Sequence, residues 1–281
     1  MYTYIKSTME AVKPFIDEHM KALVYPMDSY LEDVMYSSQL VVIIAEGVSI
    51  GYFALQDKSM TFFYISKAYQ FHGERVFEDI VSTYQVEDVT VISSDQLLNR
   101  LLVQWDFERS RMGCFFTDSK RTISRENRLE NPTFKIAMLE DIDQIRVVCG
   151  DFFDEESSSF KTLEERIAAE TIFILGNGDA IYGGGIIELG RICEGVASIG
   201  MFANPDYRQR GVARTILLKL KEHVYKLGLE PVSGCWYYNT LSKASLESAG
   251  MVPTSMGYRA VLKAKDNPPK RTGNPPGELV E

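Results

Sequence analysis

Apolar residues fall along the chain in short blocks separated by polar turns, and the blocks form two series in the same order. In the first series, residues 41–45, 51–55 and 60–65 are apolar runs of strand length. They predict three strands, followed by a helix over 73–83, a strand at 89–92, and a helix that begins at Asp95 and runs into Trp105-Asp106-Phe107. In the second series, strands at 171–175, 180–188 and 195–202 precede a helix over 211–226, a strand at 232–236, and a helix from Asn239 to Gly250-Met251. The interval from Asp95 to Phe107 equals that from Asn239 to Met251. The repeat is one of pattern, not of residue identity. It suggests two copies of one α/β fold, the alternative being two unrelated α/β domains of similar periodicity.

The division expected is a first domain at 1–117, a linker at 118–133, a second domain at 134–264 and a flexible tail at 265–281. The linker (DSKRTISRENRLENPT) carries five charged side chains between Arg121 and Glu130 and ends in Asn131-Pro132. The tail (KDNPPKRTGNPPGELVE) has proline pairs, glycines and almost no apolar side chains.

Composition narrows the classes of function. With 45% hydrophobic and 25% charged residues the chain can build ordinary cores. No apolar run approaches the roughly 18–20 residues of a membrane span, and MYTYIKSTMEAVKPF lacks the apolar segment of a signal peptide. Cys114, Cys149, Cys193 and Cys235 show no CxxC spacing, which argues against a zinc site or a disulfide framework and fits a reducing cytoplasm. A net charge of −9 opposes binding to nucleic acid and favours cationic partners.

Candidate chemistry is concentrated in SIGMFANPDYRQRGVARTILLKLKEH. An apolar strand ends near Ala203, Asn204-Pro205-Asp206 makes a turn, and a helix opens with Val212, Ile216, Leu220 and Val224 recurring every four residues. A helix start leaves backbone N–H groups without partners and turns the positive end of its dipole outward. Gly211 lacks a Cβ and Ala213 carries the smallest one, so a phosphate could approach the main chain there, with Arg208 and Arg210 adding charge.

These residues resemble the GNAT superfamily of acetyltransferases. The resemblance rests on Arg208-x-x-Gly211-x-Ala213, preceded by Pro205-Asp206-Tyr207, then on Asn239-x-x-Ser242 and Gly250-Met251. Phe134-Lys135-Ile136 and Glu140-Asp141-Ile142 are similar to the family's first strand and helix. The fold implied is α/β (α+β), two GNAT-like domains, each a mixed, mostly antiparallel sheet flanked by helices. The activity implied is N-acetyltransfer to a primary amine, with acetyl-coenzyme A as co-substrate and direct attack on the thioester. Backbone groups of Phe202 and Ala203 would hold the pantetheine arm and polarise the thioester carbonyl. Arg208, Gln209, Arg210, Gly211, Val212, Ala213 and Arg214 would surround the pyrophosphate, and Asn239 and Ser242 would contact the cofactor from across the cleft.

The chain also departs from the family. The tyrosine the family often uses as general acid is replaced by Leu246, and the glutamate often found on the fourth strand by Ala197. Tyr238 and Glu194 are the neighbours left as candidate catalytic residues. In the first series the loop reads Ala68-Tyr69-Gln70-Phe71-His72-Gly73-Glu74-Arg75, with Glu74 and Val76 where small residues are expected. This marks a degenerate copy that has lost coenzyme A, with His72 a capping or solvated residue. The acceptor implied is a small-molecule or peptide amine. Asp151, Asp154, Glu155 and Glu156 would draw a cationic one. The rival readings are transfer of a longer acyl group and a non-catalytic acyl-coenzyme A sensor.

Overall fold

The computed structural model describes residues 2–124, 129–153, 161–178 and 180–263, and the expected tail lies outside them. The first half runs β1 (Tyr2–Ser7), α1 (Met9–Ala22), α2 (Ser29–Ser37), β2 (Gln39–Ala45), β3 (Val48–Gln56), β4 (Ser59–Ile65), α3 (Gly73–Thr83), β5 (Asp88–Ile92), α4 (Gln96–Leu102) and β6 (Phe107–Asp118). The second repeats that order: β7 (Thr133–Ile136), α5 (Ile142–Cys149), α6 (Leu163–Ala168), β8 (Ile172–Gly176), β9 (Ile181–Leu189), β10 (Val196–Ala203), α7 (Val212–Lys226), β11 (Glu230–Trp236), α8 (Thr240–Ser248) and β12 (Met251–Leu262). The two series of apolar blocks are therefore two copies of one arrangement. No helix among the described residues is long and apolar enough to cross a membrane.

The strands form one continuous sheet in the order β1-β2-β3-β4-β5-β12-β6-β11-β10-β9-β8-β7. Only β4–β5 and β10–β11 pair in parallel; the other neighbours are antiparallel. The last strand of each half is exchanged. β6 follows the first half in sequence but pairs with β11 from Val232↔Thr117 to Trp236↔Gly113. β12 follows the second half but pairs with β5, and β6 and β12 pair with each other. Neither strand is announced by the apolar pattern. β6 opens on exposed Glu108–Arg111 and buries only Gly113–Phe116, and β12 contains Pro253 beside a bulge, where a strand tolerates proline. Asp118, expected at the start of a linker, is instead the last residue of β6. It forms a buried ion pair with Lys221 Nζ of α7 at 2.6 Å.

In the second half α7 and α8 cover one face of the sheet, while α5, α6 and the Phe152–Phe153 turn cover the other. α7 lies close because β9 carries consecutive glycines. A Cβ on Gly185 would stand 2.6 Å from Leu220 Cδ1 and 2.7 Å from Gly200 O, inside any real contact.

α2 clamps the two halves together. Glu32, 1% exposed, accepts from the amides of Arg191 (2.8 Å), Ile192 (2.9 Å) and Cys193 (2.9 Å) in the β9–β10 turn. Arg191 in turn pairs with Glu32 and Asp33.

Candidate functional site

β10 and β11 are paired only at Val196–Ser198 against Glu230–Val232, with Ser233 Oγ donating to Ile199 O (2.7 Å) just beyond. Past that point the strands diverge, and the split opens toward the start of α7. Asn204 shapes this end: its Oδ1 accepts from Asp206 N and its Nδ2 donates to Ile181 O. After the Pro205–Tyr207 turn, Gln209 (φ 62°) and Gly211 (φ 88°) adopt the left-handed backbone, and α7 begins at Val212. The first ladder bond of the helix is donated by Thr215 to Gly211 O (2.9 Å). The amides ahead of it are those a helix start leaves outside its own ladder, concentrated where the dipole is positive. Arg208, Gln209 and Arg210 are exposed around them, and the Arg210 guanidinium lies 5.2 Å from the Tyr207 ring centre. The structure thus gathers Arg208 to Arg214 at the end of the split. The donor set suits the two negative charges of a pyrophosphate.

Phe202 and Ala203 form the end of β10. The Phe202 ring packs between Phe152 and Phe153 over Gly184, and Ala203 faces α7. Asn239 lies across the cleft, where its Oδ1 caps α8 by accepting from Ser242 N (3.0 Å). Tyr238 is 54% exposed and sits edge-on to Trp236 and Tyr237. Leu246 (3% exposed) and Ala197 are packed in the core beneath α7.

Glu194 is not brought to the cleft, which corrects the sequence expectation. It lies in the exposed turn before the paired segment of β10, where its charge acts on Lys13 of α1, and β10 runs away from it toward the split. Asp154, Glu155, Glu156 and the side chain of Asp151 lie outside the described residues.

On the face opposite α7, two cavities meet at the split. One, about 500 Å³, is lined by residues of β6, β11 and β12 together with Asp28 and Tyr30; the other, about 220 Å³, lies toward Phe152, Phe153, Glu188 and Ser198. Asp28, Tyr30 and Gly234 line both. Burial pushes the Asp28 carboxyl up to about 6; the Leu31 amide opposes the rise, and the charges of Glu32 and Glu188 add to it. Sequence reasoning missed Asp28. Its local signal, an aspartate before a helix, reads as an ordinary N-cap.

The corresponding loop in the first half has no left-handed residue, and a cavity of about 200 Å³ lined by Tyr64, Gln70, Asp95 and Gln96 lies beside it. Residues Lys67–His72 form a 3-10 turn that runs straight into α3, and Gly73 has φ −51° with its N–H donating to Gln70 O. Within that turn Tyr69 N likewise donates to Ser66 O (2.8 Å). Glu74 Oε1 accepts from Gln104 Nε2, and His72 Nδ1 is held by the Tyr2 hydroxyl at 3.1 Å. On the other face His19 bridges Tyr52 (2.9 Å) and Asp95 (3.1 Å) and stacks on Tyr64.

Residues 8–119 match the family model described as an acetyltransferase (GNAT) domain. Residues 8–119 therefore form a GNAT domain. The match falls on the first half, whose loop lacks the Arg-x-x-Gly-x-Ala pattern of residues 208–213. Among solved structures, the fold is similar to a GNAT-family acetyltransferase from Colwellia psychrerythraea, with TM-score 0.79 at 13% identity over 94% of this chain and 100% of that one. It is similar to a GCN5-related N-acetyltransferase from Sphaerobacter thermophilus (TM-score 0.61, 14% identity, 93% and 96% covered). A tandem GNAT protein from the clavulanic acid biosynthesis pathway gives TM-score 0.64 at 10% identity, with 92% and 98% covered. No curated protein matches the sequence. The GNAT fold supports acyl-coenzyme A-dependent acetyl transfer in general.

Proposed function

We propose that the second half binds acetyl-coenzyme A in the β10–β11 split and transfers its acetyl group directly to a primary amine. The observation that carries this is the split itself, which leads from the left-handed Gln209–Gly211 loop to two cavities on the opposite face. Amides from Gln209 to Arg214, with Arg208 and Arg210, would hold the pyrophosphate. Backbone groups of Phe202 and Ala203 would hold the pantetheine arm, and Asn239 and Ser242 would border the cofactor. Bound there, acetyl-coenzyme A supplies a thioester carbon open to attack and a thiolate leaving group whose ordinary pKa, near ~8.5, calls for little acid assistance.

Calorimetry on the intact chain should give one acetyl-coenzyme A site per molecule, and thiol should be released with a primary amine. Two equivalent sites, or none, would overturn the assignment to the second half. A second reading, a non-catalytic acyl-coenzyme A sensor, is favoured by Leu246 and Ala197 being core residues where the family often places its acid and its glutamate. Binding without turnover across an amine panel would select it.

Tyr238 is the candidate acid in reach along the sequence, yet the residues lining the cavities include Trp236 and not Tyr238. Tyr238→Phe should therefore lower kcat by less than about tenfold, against the roughly 10²–10⁴-fold contribution of an obligatory proton donor. A hundredfold fall with cofactor affinity intact would make Tyr238 the acid.

A further inference from the structure

The first half places a carboxylate in the second half's cleft. α2 docks end-on against β9 and β10: Ser29 N donates to Ser198 Oγ (2.7 Å) and Ser29 Oγ to Glu188 Oε2 (2.9 Å). Glu188 is held at its other oxygen by Arg166 Nη1 (2.6 Å). These bonds fix the residue just before Ser29. Asp28 Oδ1 accepts from Leu31 N (3.1 Å) as the cap of α2, and Oδ2 lies against Gly234, 2.0 Å from where a Cβ would stand. Gly234 comes two residues after Val232, the last β11 residue paired with β10. Asp28, only 6% exposed, thus projects to the point where the strands part and lines both cavities.

Resting on the acetyl-transfer reading above, we propose that Asp28 takes the proton from the acceptor amine, and that the acceptor is a primary amine with a small apolar or aromatic body. The larger cavity is walled by Tyr30, Met112, Phe115 and Trp236, and its volume lies in the lower part of the range for small-molecule sites, roughly 300–1,000 Å³. Tyr30 and Trp236 leave aromatic surface exposed there, which an apolar amine would cover.

The bound ammonium gives one proton to Asp28 Oδ2, and the freed lone pair forms the C–N bond to the thioester carbon. The C–S bond breaks, one of the two protons left on the nitrogen passes to the thiolate to give the thiol, and the other stays on the amide. Asp28 returns its proton to solvent.

The charges around Asp28 suit a base. Glu32 on its own helix and Glu188 on β9 raise its affinity for a proton, and the Tyr30, Cys193 and Cys235 groups facing it are neutral at pH 7. Of the neighbouring guanidiniums, Arg166 is engaged by Glu188, Arg191 by Glu32 and Asp33, and Arg259 by Asp88, while Arg111, which also lines the larger cavity, lies over the Tyr237 ring. Asp33 and Lys161 line the smaller cavity farther along. A carboxyl near 6 is ionised at neutral pH yet basic enough to accept a proton.

The test uses the full chain, acetyl-coenzyme A and phenethylamine, with thiol release followed from pH 5 to 8.5. Wild-type kcat/KM should rise with pH through about 6 and level off, because the ionised carboxylate is the active form. Asp28→Asn keeps the helix cap. It should lower kcat at least a hundredfold, abolish the acid limb and leave the acetyl-coenzyme A Kd unchanged.

Stability moves the other way. The carboxyl is raised in the folded state, so stability present below the ordinary pKa is lost as pH rises through about 6. Asp28→Asn should therefore raise the thermal midpoint at pH 7.5. A fall in kcat of less than a hundredfold, or an acid limb that persists, overturns Asp28 as the base. Acetyl-coenzyme A binding without thiol release from phenethylamine overturns the acceptor class. Absence of acetyl-coenzyme A binding overturns the acetyl-transfer reading instead.

Discussion

Gly211→Asp should weaken acetyl-coenzyme A binding by at least about a hundredfold while leaving the fold intact. At φ 88° an ordinary side chain is strained, at about 1–2 kcal/mol per residue. A carboxylate at the same point adds repulsion toward the pyrophosphate. At about 4 Å and an effective dielectric near 20 that is on the order of 4 kcal/mol for one pair of unit charges. Each 1.4 kcal/mol is a factor of about ten, so the charge alone exceeds a hundredfold. The strain also acts on the fold, so the thermal midpoint should fall by only a few degrees. Gly211→Ala separates the terms, since it carries only the strain, which is present with and without the cofactor, and should change the Kd by less than about tenfold. Calorimetry on the three proteins checks both, and an unchanged Kd for Gly211→Asp would remove this loop from the cofactor site.

Residues 129–281 made alone should fail to fold as a monomer, and adding residues 1–124 should restore a one-to-one complex. The isolated second half lacks β6, which brings the buried side chains Cys114 and Phe116 into its core. It also leaves Lys221, 6% exposed, without the Asp118 carboxylate. Removing one partner of a buried ion pair costs about 3–5 kcal/mol, and losing a buried Phe about 3–5 kcal/mol more. Together these approach the whole stability of a domain, about 5–15 kcal/mol. Circular dichroism and size-exclusion chromatography of the fragment, alone and mixed, give the answer. A folded monomeric fragment would show that the strand exchange contributes little.

The sequence made the repeat legible because strands and helices of ordinary length leave a local mark. The apolar runs at 41–45, 60–65 and 232–236 and the four-residue recurrence in α7 needed no partner to be read. The loop proposed to hold the pyrophosphate was legible as a helix start for the same reason, since Arg208 to Arg214 are contiguous. The exchange of β6 and β12 was not, because pairing across the whole chain leaves no periodic trace and half of β6 is charged. Asp28 escaped because it acts on residues some two hundred positions away. Glu194 misled in the opposite sense: close to the motif in sequence, it is carried off by the direction of β10.

The exchanged strands also set an order of events during synthesis. Domains commonly fold as they emerge, the N-terminal one first. Here β5 and β6 cannot be joined until β12 has been made, and β12 is the last of the twelve strands among the described residues. The first half must therefore leave the ribosome with two bare strand edges in what becomes the middle of its sheet. Until residues 251–262 arrive, those edges are open to other chains. Closure of the sheet then waits on the second half, and slow translation of that half lengthens the interval in which aggregation competes with it.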